Sequence, residues 1–165
     1  MGESRGDRIM SGTVISLMIR KEKGGAFCRT ESMTLDAGKG IRGDCHYASG
    51  RKPVCLLDEK CRRWIEEQDR EGLCLPRFQE NILIGGTGPD EWKRGDRIRI
   101  GEALLEITQT GKKCFPECSR VQAGKPCLLK KSCCFAAVLE GGRISAGDAV
   151  SILKTETYVY ETGKR

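Results

Sequence analysis

Short apolar segments separated by glycine-rich breaks make up the hydrophobic pattern of this chain. Residues 13–19 combine β-branched and aliphatic side chains, Arg97–Ile100 alternates polar with apolar positions, and Ala149–Leu153 is again apolar. Alternation with a period of two is typical of strands that bury one face. Glycine pairs and Gly-Asp pairs between these segments favour tight turns. The pattern therefore predicts many short strands, several of them joined as hairpins.

One helix and further strands complete this pattern. Strands are also predicted at residues 27–35, 53–57, 82–84, 104–108, 135–139 and 155–160. Asp58 suits a helix N-cap, because Cys61, Trp64 and Ile65 recur after it at helical spacing, and Gly72 is expected to end that helix. Many strands and few helices favour a mainly β fold, a barrel or sandwich with a few peripheral helices.

The length of 165 residues and the lack of a long linker predict a single domain over residues 11–154. Residues 1–10 are polar and charged, and we expect them to be flexible. Residues 155–165 are expected to add an edge strand or a frayed tail.

Charge narrows the classes of function. The net charge is +6, but 29 basic and 23 acidic residues are interleaved, and basic and aromatic residues form no stacking pattern. We therefore expect attraction for small anions and no binding to nucleic acid. No apolar run is long enough to cross a membrane, and the N-terminus lacks the apolar core of a signal peptide. The expected location is the cytoplasm.

Ten cysteines are the most informative feature of the composition. In a reducing compartment they indicate metal ligation, thiol chemistry or buried thiols. Lys112 and Lys113 immediately precede Cys114, and nearby cations favour the reactive thiolate form. Cys114 is therefore the candidate nucleophile, and Cys118 is its candidate partner in a disulfide or trisulfide. Four cysteines in apolar patterns are predicted to be small buried hydrophobes: Cys55, Cys61, Cys74 and Cys134.

A structural metal site is the alternative for the late cysteines. Cys114 and Cys118 are separated by three residues, a spacing that zinc sites allow. Cys133 and Cys134 are adjacent in the sequence, and adjacent cysteines are poorly suited to act as the second pair of ligands. In this alternative the domain is a non-enzymatic interaction module with zinc or an iron–sulfur centre on Cys114, Cys118, Cys127 and Cys133.

His46 is the single histidine of the chain. It lies in a glycine-rich loop with Arg42 and Asp44, and the Asp44 carboxylate can orient its ring. A structural role and an acid–base role both remain open for it.

Six segments in order resemble the MOSC family, which is named for the C-terminal domain of molybdenum cofactor sulfurase. The Gly-Asp-x-His loop matches residues 40–46, and the Phe-x-Glu-Asn motif matches residues 78–82, with Glu80 and Asn81 at its centre. The other matching segments are residues 51–57, 95–101, 108–114 with Cys118 following, and 135–148. The resemblance covers residues 11–153.

The resemblance implies a barrel related to a domain of pyruvate kinase. It also implies that Cys114 carries sulfur as a persulfide or ligates molybdenum, with the molybdenum cofactor as ligand or substrate. Arg42 and Lys112 would attract its anionic groups, Asp44 and His46 would adjoin it, and Glu80 and Asn81 would support the site or hold a turn. Whether the protein is an enzyme or a carrier, and whether the metal is molybdenum or tungsten, stays open.

Larger members fuse this domain to a pyridoxal-phosphate cysteine desulfurase. No pyridoxal phosphate site is expected in this chain. A separate cysteine desulfurase is therefore the expected sulfur donor, and molybdenum-cofactor enzymes or biosynthesis proteins are the expected partners.

Overall fold

A computed structural model describes residues 9–50, 54–68, 74–75, 77–87 and 92–154. In chain order, its strands are β1 (Ile9–Ile19), β2 (Cys28–Thr30), β3 (Ser32–Asp36), β4 (Gly40–Ile41), β5 (Val54–Asp58), β6 (Ile82–Gly85), β7 (Arg97–Ile100), β8 (Ala103–Thr110), β9 (Cys134–Glu140), β10 (Gly142–Ser145) and β11 (Ala149–Leu153). The helices are α1 (Glu59–Glu67), α2 (Ser119–Gln122) and α3 (Leu128–Ser132).

Seven of the strands described close into a barrel, which confirms the predicted mainly β class. Around the barrel the order is β1, β11, β7, β8, β9, β5 and β6, and β6 pairs with β1 again. The β5–β6 pair is parallel, whereas the other neighbours are antiparallel. β2 extends the sheet from β1, and β10, β3 and β4 form a separate three-stranded sheet.

Two apolar clusters hold the fold together. The barrel interior contains fully buried aliphatic side chains such as Leu17, Ile98 and Leu105, and burying each contributes about 1.5–3 kcal/mol. A second cluster joins α1 and α3 to the outside of the barrel through Leu57, Cys61, Leu129 and Cys133. β5 lies between the two clusters, so all five of its residues are buried and its sequence is a continuous apolar run up to Asp58.

Several predicted boundaries differ from the observed ones. Asp58 is the N-cap of α1 as predicted, but α1 ends at Glu67 because Gln68 turns to extended backbone, and Gly72 lies outside the described residues. β1 begins at Ile9 and pairs with β11 from there, two residues before the predicted domain boundary. The predicted strand at residues 155–160 lies outside the described residues.

The predicted strand at residues 27–35 is in fact two strands. β2 pairs with β1, whereas β3 pairs with β10, so the two halves of this segment belong to different sheets. The elements β4, β10, α2 and α3 were not predicted, and β4 lies in the segment that was predicted to be a glycine-rich loop. Within the described residues, no helix has the length and apolar character that crossing a bilayer requires.

Candidate functional site

A cleft of about 820 Å³ lies where the end of β1, the loop after β4 and the segment after β8 meet. This volume is in the range of small-molecule sites. Five of the residues that line it are cationic: Arg20, Lys23, Arg77, Lys112 and Lys113. Four more are aromatic: Phe27, Phe78, Phe115 and Phe135. Fixed cations attract anions, and ring faces pack against flat apolar groups, so the lining suits an anionic ligand with a planar part.

Asp44 organises the floor of this cleft. Its carboxylate is almost fully buried, and Oδ1 accepts a hydrogen bond from the backbone N–H of Arg20 at 3.0 Å. Oδ2 accepts another from the backbone N–H of His46, also at 3.0 Å. The carboxylate thereby fastens the loop after β4 to the residue that follows β1. A buried carboxylate destabilises a fold unless hydrogen-bond donors such as these surround it.

His46 lines the cleft next to Asp44. Its Nδ1 lies 3.4 Å from Asp44 Oδ2 and 3.5 Å from Cys45 Sγ, and its side chain is 40% exposed. The structure therefore brings together the histidine and the carboxylate that the sequence paired. The exposed part of the ring is able to exchange a proton with a ligand in the cleft.

Asn81 and Glu80 have different surroundings. The Asn81 Oδ1 accepts the N–H of Cys55 at 3.0 Å, and its Nδ2 donates to the carbonyl of Met18 at 3.1 Å and to Asp44 Oδ1 at 3.4 Å. Asn81 thus lines the cleft and ties β1 to β5. Glu80 is buried against Arg62 of α1, where the two form an ion pair, and it is not part of the cleft lining.

Arg42 lies apart from the cleft, contrary to its predicted role as an anion ligand. Its side chain is 64% exposed and holds Asp36 through two hydrogen bonds of 3.0 and 2.8 Å. The hydrogen bonds from Arg42 and then from Tyr47 lower the pKa of the Asp36 carboxyl. Arg20, Lys23 and Arg77, which sequence reasoning missed, supply cations to the cleft lining instead.

Cys114 and Cys118 border a second, much smaller cavity of about 20 Å³. Four thiols line it: Cys74, Cys114, Cys118 and Cys127. Lys112 and Phe115 line both this small cavity and the large cleft, so the two spaces share a wall. Cys114 is half-buried and Cys118 is buried. The predicted pair therefore lies beside the cationic cleft.

The ammonium of Lys112 contacts a thiol that the sequence had not singled out. Its Nζ lies 2.6 Å from Cys74 Sγ. Cys74 is half-buried and packs against the second apolar cluster, so it is only in part the buried hydrophobe that was predicted. Lys112 belongs to the predicted site. Cys74, the thiol that it contacts, follows α1 by several residues and is far from Lys112 in the sequence.

The other cysteines predicted to be core residues are confirmed as such. Burial raises the pKa of the Cys61 and Cys134 thiols to about 12, and it raises that of Cys55 well above its usual range. These thiols stay protonated at neutral pH and behave as small apolar groups. Cys133 is also fully buried, packed in the cluster between α1 and α3.

Metal ligation by the late cysteines is not supported by the geometry. Across the described part of the chain, Asp44, Cys45 and His46 are the only set of three or more metal-ligating side chains whose ligand atoms lie within 4.8 Å of one another. Cys114, Cys118, Cys127 and Cys133 form no such set. All ten cysteines fall within the described ranges, and none of them forms a disulfide bond.

Fold and site define a β-barrel domain with a cationic, aromatic-lined cleft and a group of thiols beside it. The sequence model of the MOSC domain matches residues 42–151, two-thirds of the chain. The chain therefore belongs to the MOSC domain family. Among curated proteins, none matches the sequence significantly.

Solved structures support the same fold. The YuaD protein from Bacillus subtilis is 17% identical, covers 91% of this chain and 100% of its own, and superposes with a TM-score of 0.63. YiiM from Escherichia coli is also 17% identical, with 89% and 71% of the two chains covered and a TM-score of 0.58. YiiM from Geobacillus stearothermophilus gives 17% identity, 87% and 75% coverage, and a TM-score of 0.54. At these identities the likeness concerns the fold alone.

Proposed function

We propose that this MOSC protein carries sulfane sulfur, or handles the molybdenum cofactor, through Cys114. The observation that carries the proposal is the shared wall between the large cleft and the small thiol-lined cavity. Lys112 and Phe115 line both spaces, and Cys114 lies between them in the chain. A cysteine next to a cationic cleft meets the two requirements of sulfur transfer to an anionic acceptor, which are a nucleophilic side chain and charge compensation.

The residues present fit the molybdenum cofactor, a planar pterin that bears a phosphate and a metal. Phenylalanine faces suit the ring system, and the cations of the cleft suit the phosphate and the oxometal group. Arg20 lines the cleft, and its buried Nε has no hydrogen-bond partner among the residues described. A donor left without a partner favours an acceptor supplied by a ligand. Arg20, Lys112 and Lys113 would hold the anionic groups of the cofactor.

The cofactor, when bound, supplies a metal centre at which a sulfur ligand is exchanged. The protein supplies the rest of the chemistry. Cys114 brings the sulfur or ligates the metal, and Lys112 balances negative charge at the shared wall. His46, held by Asp44, is the group that exchanges a proton with the ligand, because its side chain is 40% exposed in the cleft. Asn81 keeps the Asp44 carboxylate and the end of β1 in place.

The proposed setting is the cytoplasm. A cysteine desulfurase delivers the sulfur, because a persulfide on Cys114 requires a donor of sulfane sulfur. Molybdenum-cofactor enzymes or biosynthesis proteins receive the product. If one chain modifies more than one acceptor, Cys114 acts catalytically. If each chain modifies a single acceptor, the protein is consumed as a sulfur carrier.

Mass spectrometry of the intact protein tests the sulfur-carrying role. After incubation with a cysteine desulfurase and cysteine, the wild type is expected to gain the mass of a sulfur atom, and Cys114→Ser is expected to gain none. Cys28→Ser is the matched control, because Cys28 is an exposed thiol on β2 outside both cavities. Equal loading of the wild type and Cys114→Ser, or no loading of either, would contradict the proposal.

Co-purification tests the cofactor-handling role. Protein produced in a host that makes the molybdenum cofactor is denatured in acid, and the released, oxidised pterin is measured by its fluorescence. Arg20→Ala is expected to lower the pterin recovered per chain by about tenfold, because it removes a cation from the cleft. The matched control Arg42→Ala removes an exposed cation outside the cleft and is expected to leave the yield unchanged.

A further inference from the structure

We infer that the small cavity is a receiving site for one sulfur atom and that Cys74 is the thiol that accepts it from Cys114. The inference rests on the proposed sulfur-carrying role of Cys114 and adds a second sulfur-bearing residue to it. Its basis is the arrangement of Cys74, Lys112 and Arg120 around a space of atomic size.

The cavity has the dimensions of a single atom. Its volume of about 20 Å³ is just above the roughly 10–15 Å³ that one water molecule requires. Two leucines, Leu75 and Leu129, share its lining with the four thiols. Lys112, Phe115, Arg120 and Lys130 complete the lining. A polarisable sulfur atom packs well against the thiols and aliphatic groups, and the cations suit the negative charge that it bears.

Arg120 provides an independent indication that an anion is received there. Its residue exposure is 6%, and it lines the cavity. One guanidinium nitrogen donates to the carbonyl of Pro126 at 2.6 Å, and the group lies over the ring of Trp64. Its Nε is buried and has no hydrogen-bond partner among the described residues. A buried cation with an unused donor is costly unless an anionic acceptor is brought to it.

Cys74 is placed to become the nucleophile. The ammonium of Lys112 lies 2.6 Å from its sulfur, so a cation is in place beside that sulfur when it carries negative charge during the transfer. Cys74 lines the same cavity as Cys114, so a sulfur atom attached to Cys114 enters the space that Cys74 borders. Lys112 also borders this space, and it is able to stabilise the negative charge on either sulfur.

The transfer step is balanced without an oxidant or reductant. A cysteine desulfurase first converts Cys114 to its persulfide. The Cys74 thiolate then attacks the outer sulfur of that persulfide and forms a new S–S bond. The bond between Cys114 Sγ and the outer sulfur breaks, and Cys114 leaves as a thiolate, while the proton stays on the transferred sulfur. The product is a Cys74 persulfide next to the wall shared with the large cleft.

Peptide mapping after a time course with a cysteine desulfurase and cysteine tests this relay. Free thiols and persulfides are alkylated at each time point, and the position of the added sulfur is read by tandem mass spectrometry. In the wild type, sulfur is expected first on Cys114 and later on Cys74. In Cys74→Ser it is expected to stay on Cys114. In Lys112→Met, arrival at Cys74 is expected to slow by about tenfold or more.

Lys131→Met is the matched control, because it removes the same charge from α3 at a residue that lines neither the cleft nor the small cavity. Its transfer rate is expected to stay within about twofold of the wild type, since exposed charges act weakly. A second readout needs no sulfur donor: alkylation of Cys74 by iodoacetamide is expected to slow in Lys112→Met and not in Lys131→Met. Equal alkylation rates in the two variants would overturn the activating role of Lys112.

The outcomes separate the relay from the proposed function. Sulfur that reaches Cys114 and never Cys74 overturns the relay and leaves the sulfur-carrying role intact. Sulfur that reaches Cys74 equally fast in Cys114→Ser also overturns it, because Cys114 is then not the source. A disulfide between Cys74 and Cys114 with release of sulfide overturns it too. Absence of sulfur from both cysteines overturns both proposals.

Discussion

Two groups of cysteines in this chain have opposite environments. Cys55, Cys61 and Cys134 lie on β5, α1 and β9, where burial raises their pKa values, although Cys55 also borders the large cleft. Cys74 and Cys114 lie on connecting segments beside Lys112, at a cavity wall. The side chain is the same, so the difference arises from what surrounds it. The packed elements of the core remove these three thiols from water, whereas the connecting segments present Cys74 and Cys114 together with a cation.

The largest expected effect is a difference in alkylation rate between these two groups. With a pKa of about 12, only about one Cys61 thiol in 10⁴ is ionised at pH 8. We expect iodoacetamide to modify Cys74 and Cys114 about 1,000-fold or more faster than Cys61 in the folded protein. The rate at Cys61 is expected to rise about tenfold for each pH unit towards 12, because its thiolate fraction rises by that factor.

Peptide-resolved mass spectrometry measures these rates. Protein unfolded in urea is the control, because unfolding removes the burial that raises the pKa of Cys61, and the rates are then expected to converge. If Cys61 reacted within tenfold of Cys74 in the folded state, the division into core thiols and cavity thiols would be wrong.

The stability of the barrel, which buries the first group of thiols, depends on Asn81. Asn81→Leu removes the acceptor of the Cys55 N–H, the side-chain donor to the carbonyl of Met18 and one of the two donors to Asp44 Oδ1. Unpaired polar groups of this kind, buried at this site, are expected to lower the free energy of unfolding by about 3 kcal/mol. Equilibrium unfolding in urea measures the loss, and faster alkylation of Cys55 is expected to accompany it.

Gln122→Leu is the matched control for this substitution. The Gln122 side chain is exposed and makes one hydrogen bond of 3.3 Å, to the carbonyl of Pro116. Its loss is expected to change the free energy of unfolding by less than about 0.5 kcal/mol. Similar losses in the two variants would show that the Asn81 network does not hold β1 against β5.

The sequence was sufficient to predict the barrel strands, because their patterns are local. Alternation along Arg97–Ile100 and the apolar run at residues 53–57 each reflect the faces that a single strand buries. Helices α2 and α3 were missed because four and five residues are too few to show a helical period. The strand β10 was missed because its partner β3 is more than 100 residues away.

The candidate site was predictable only where its residues are neighbours in sequence. Asp44 and His46 share a loop, and Cys114 follows Lys112 closely. Arg20 and Cys74 were missed because no local pattern shows that closing the barrel brings Arg20 to Asp44 and Lys112 to Cys74. Arg42 was assigned to the cleft from its position in the same loop as Asp44, but Asp36 holds it outside.

The tight turns predicted at the Gly-Asp pairs are closed by the aspartate side chains. Asp96 and Asp148 each accept an N–H from three residues earlier, from Lys93 and from Ser145, both at 2.8 Å. The carboxylate closes the turn that precedes the strand, so the glycine before it takes a positive φ of 95° at Gly95 and 93° at Gly147.

The walls of the small cavity depend on Gly111, which directly follows β8. Gly111 begins the segment that carries Cys114 and Cys118, which we call the cysteine segment (residues 111–118). Gly111 has a φ of +76°, its N–H donates to the carbonyl of Cys133 at 2.7 Å, and a Cβ at this position would lie 2.8 Å from the carbonyl oxygen of Lys130. Gly111→Ala therefore adds a clash with the backbone of α3 to the strain of a positive φ. We expect it to lower the free energy of unfolding by about 2 kcal/mol.

Gly124→Ala isolates the contribution of the clash. Gly124 has a similar φ of +68°, but a Cβ there would meet nothing within 4 Å. Its cost is therefore expected to be that of the positive φ alone, about 1 kcal/mol. Urea unfolding of both variants measures the difference, and peptide-resolved alkylation shows whether Cys127, at the start of α3, becomes more reactive in Gly111→Ala only. Equal losses in the two variants would mean that the cysteine segment shifts freely against β8, and the walls of the small cavity would then not be fixed by the barrel.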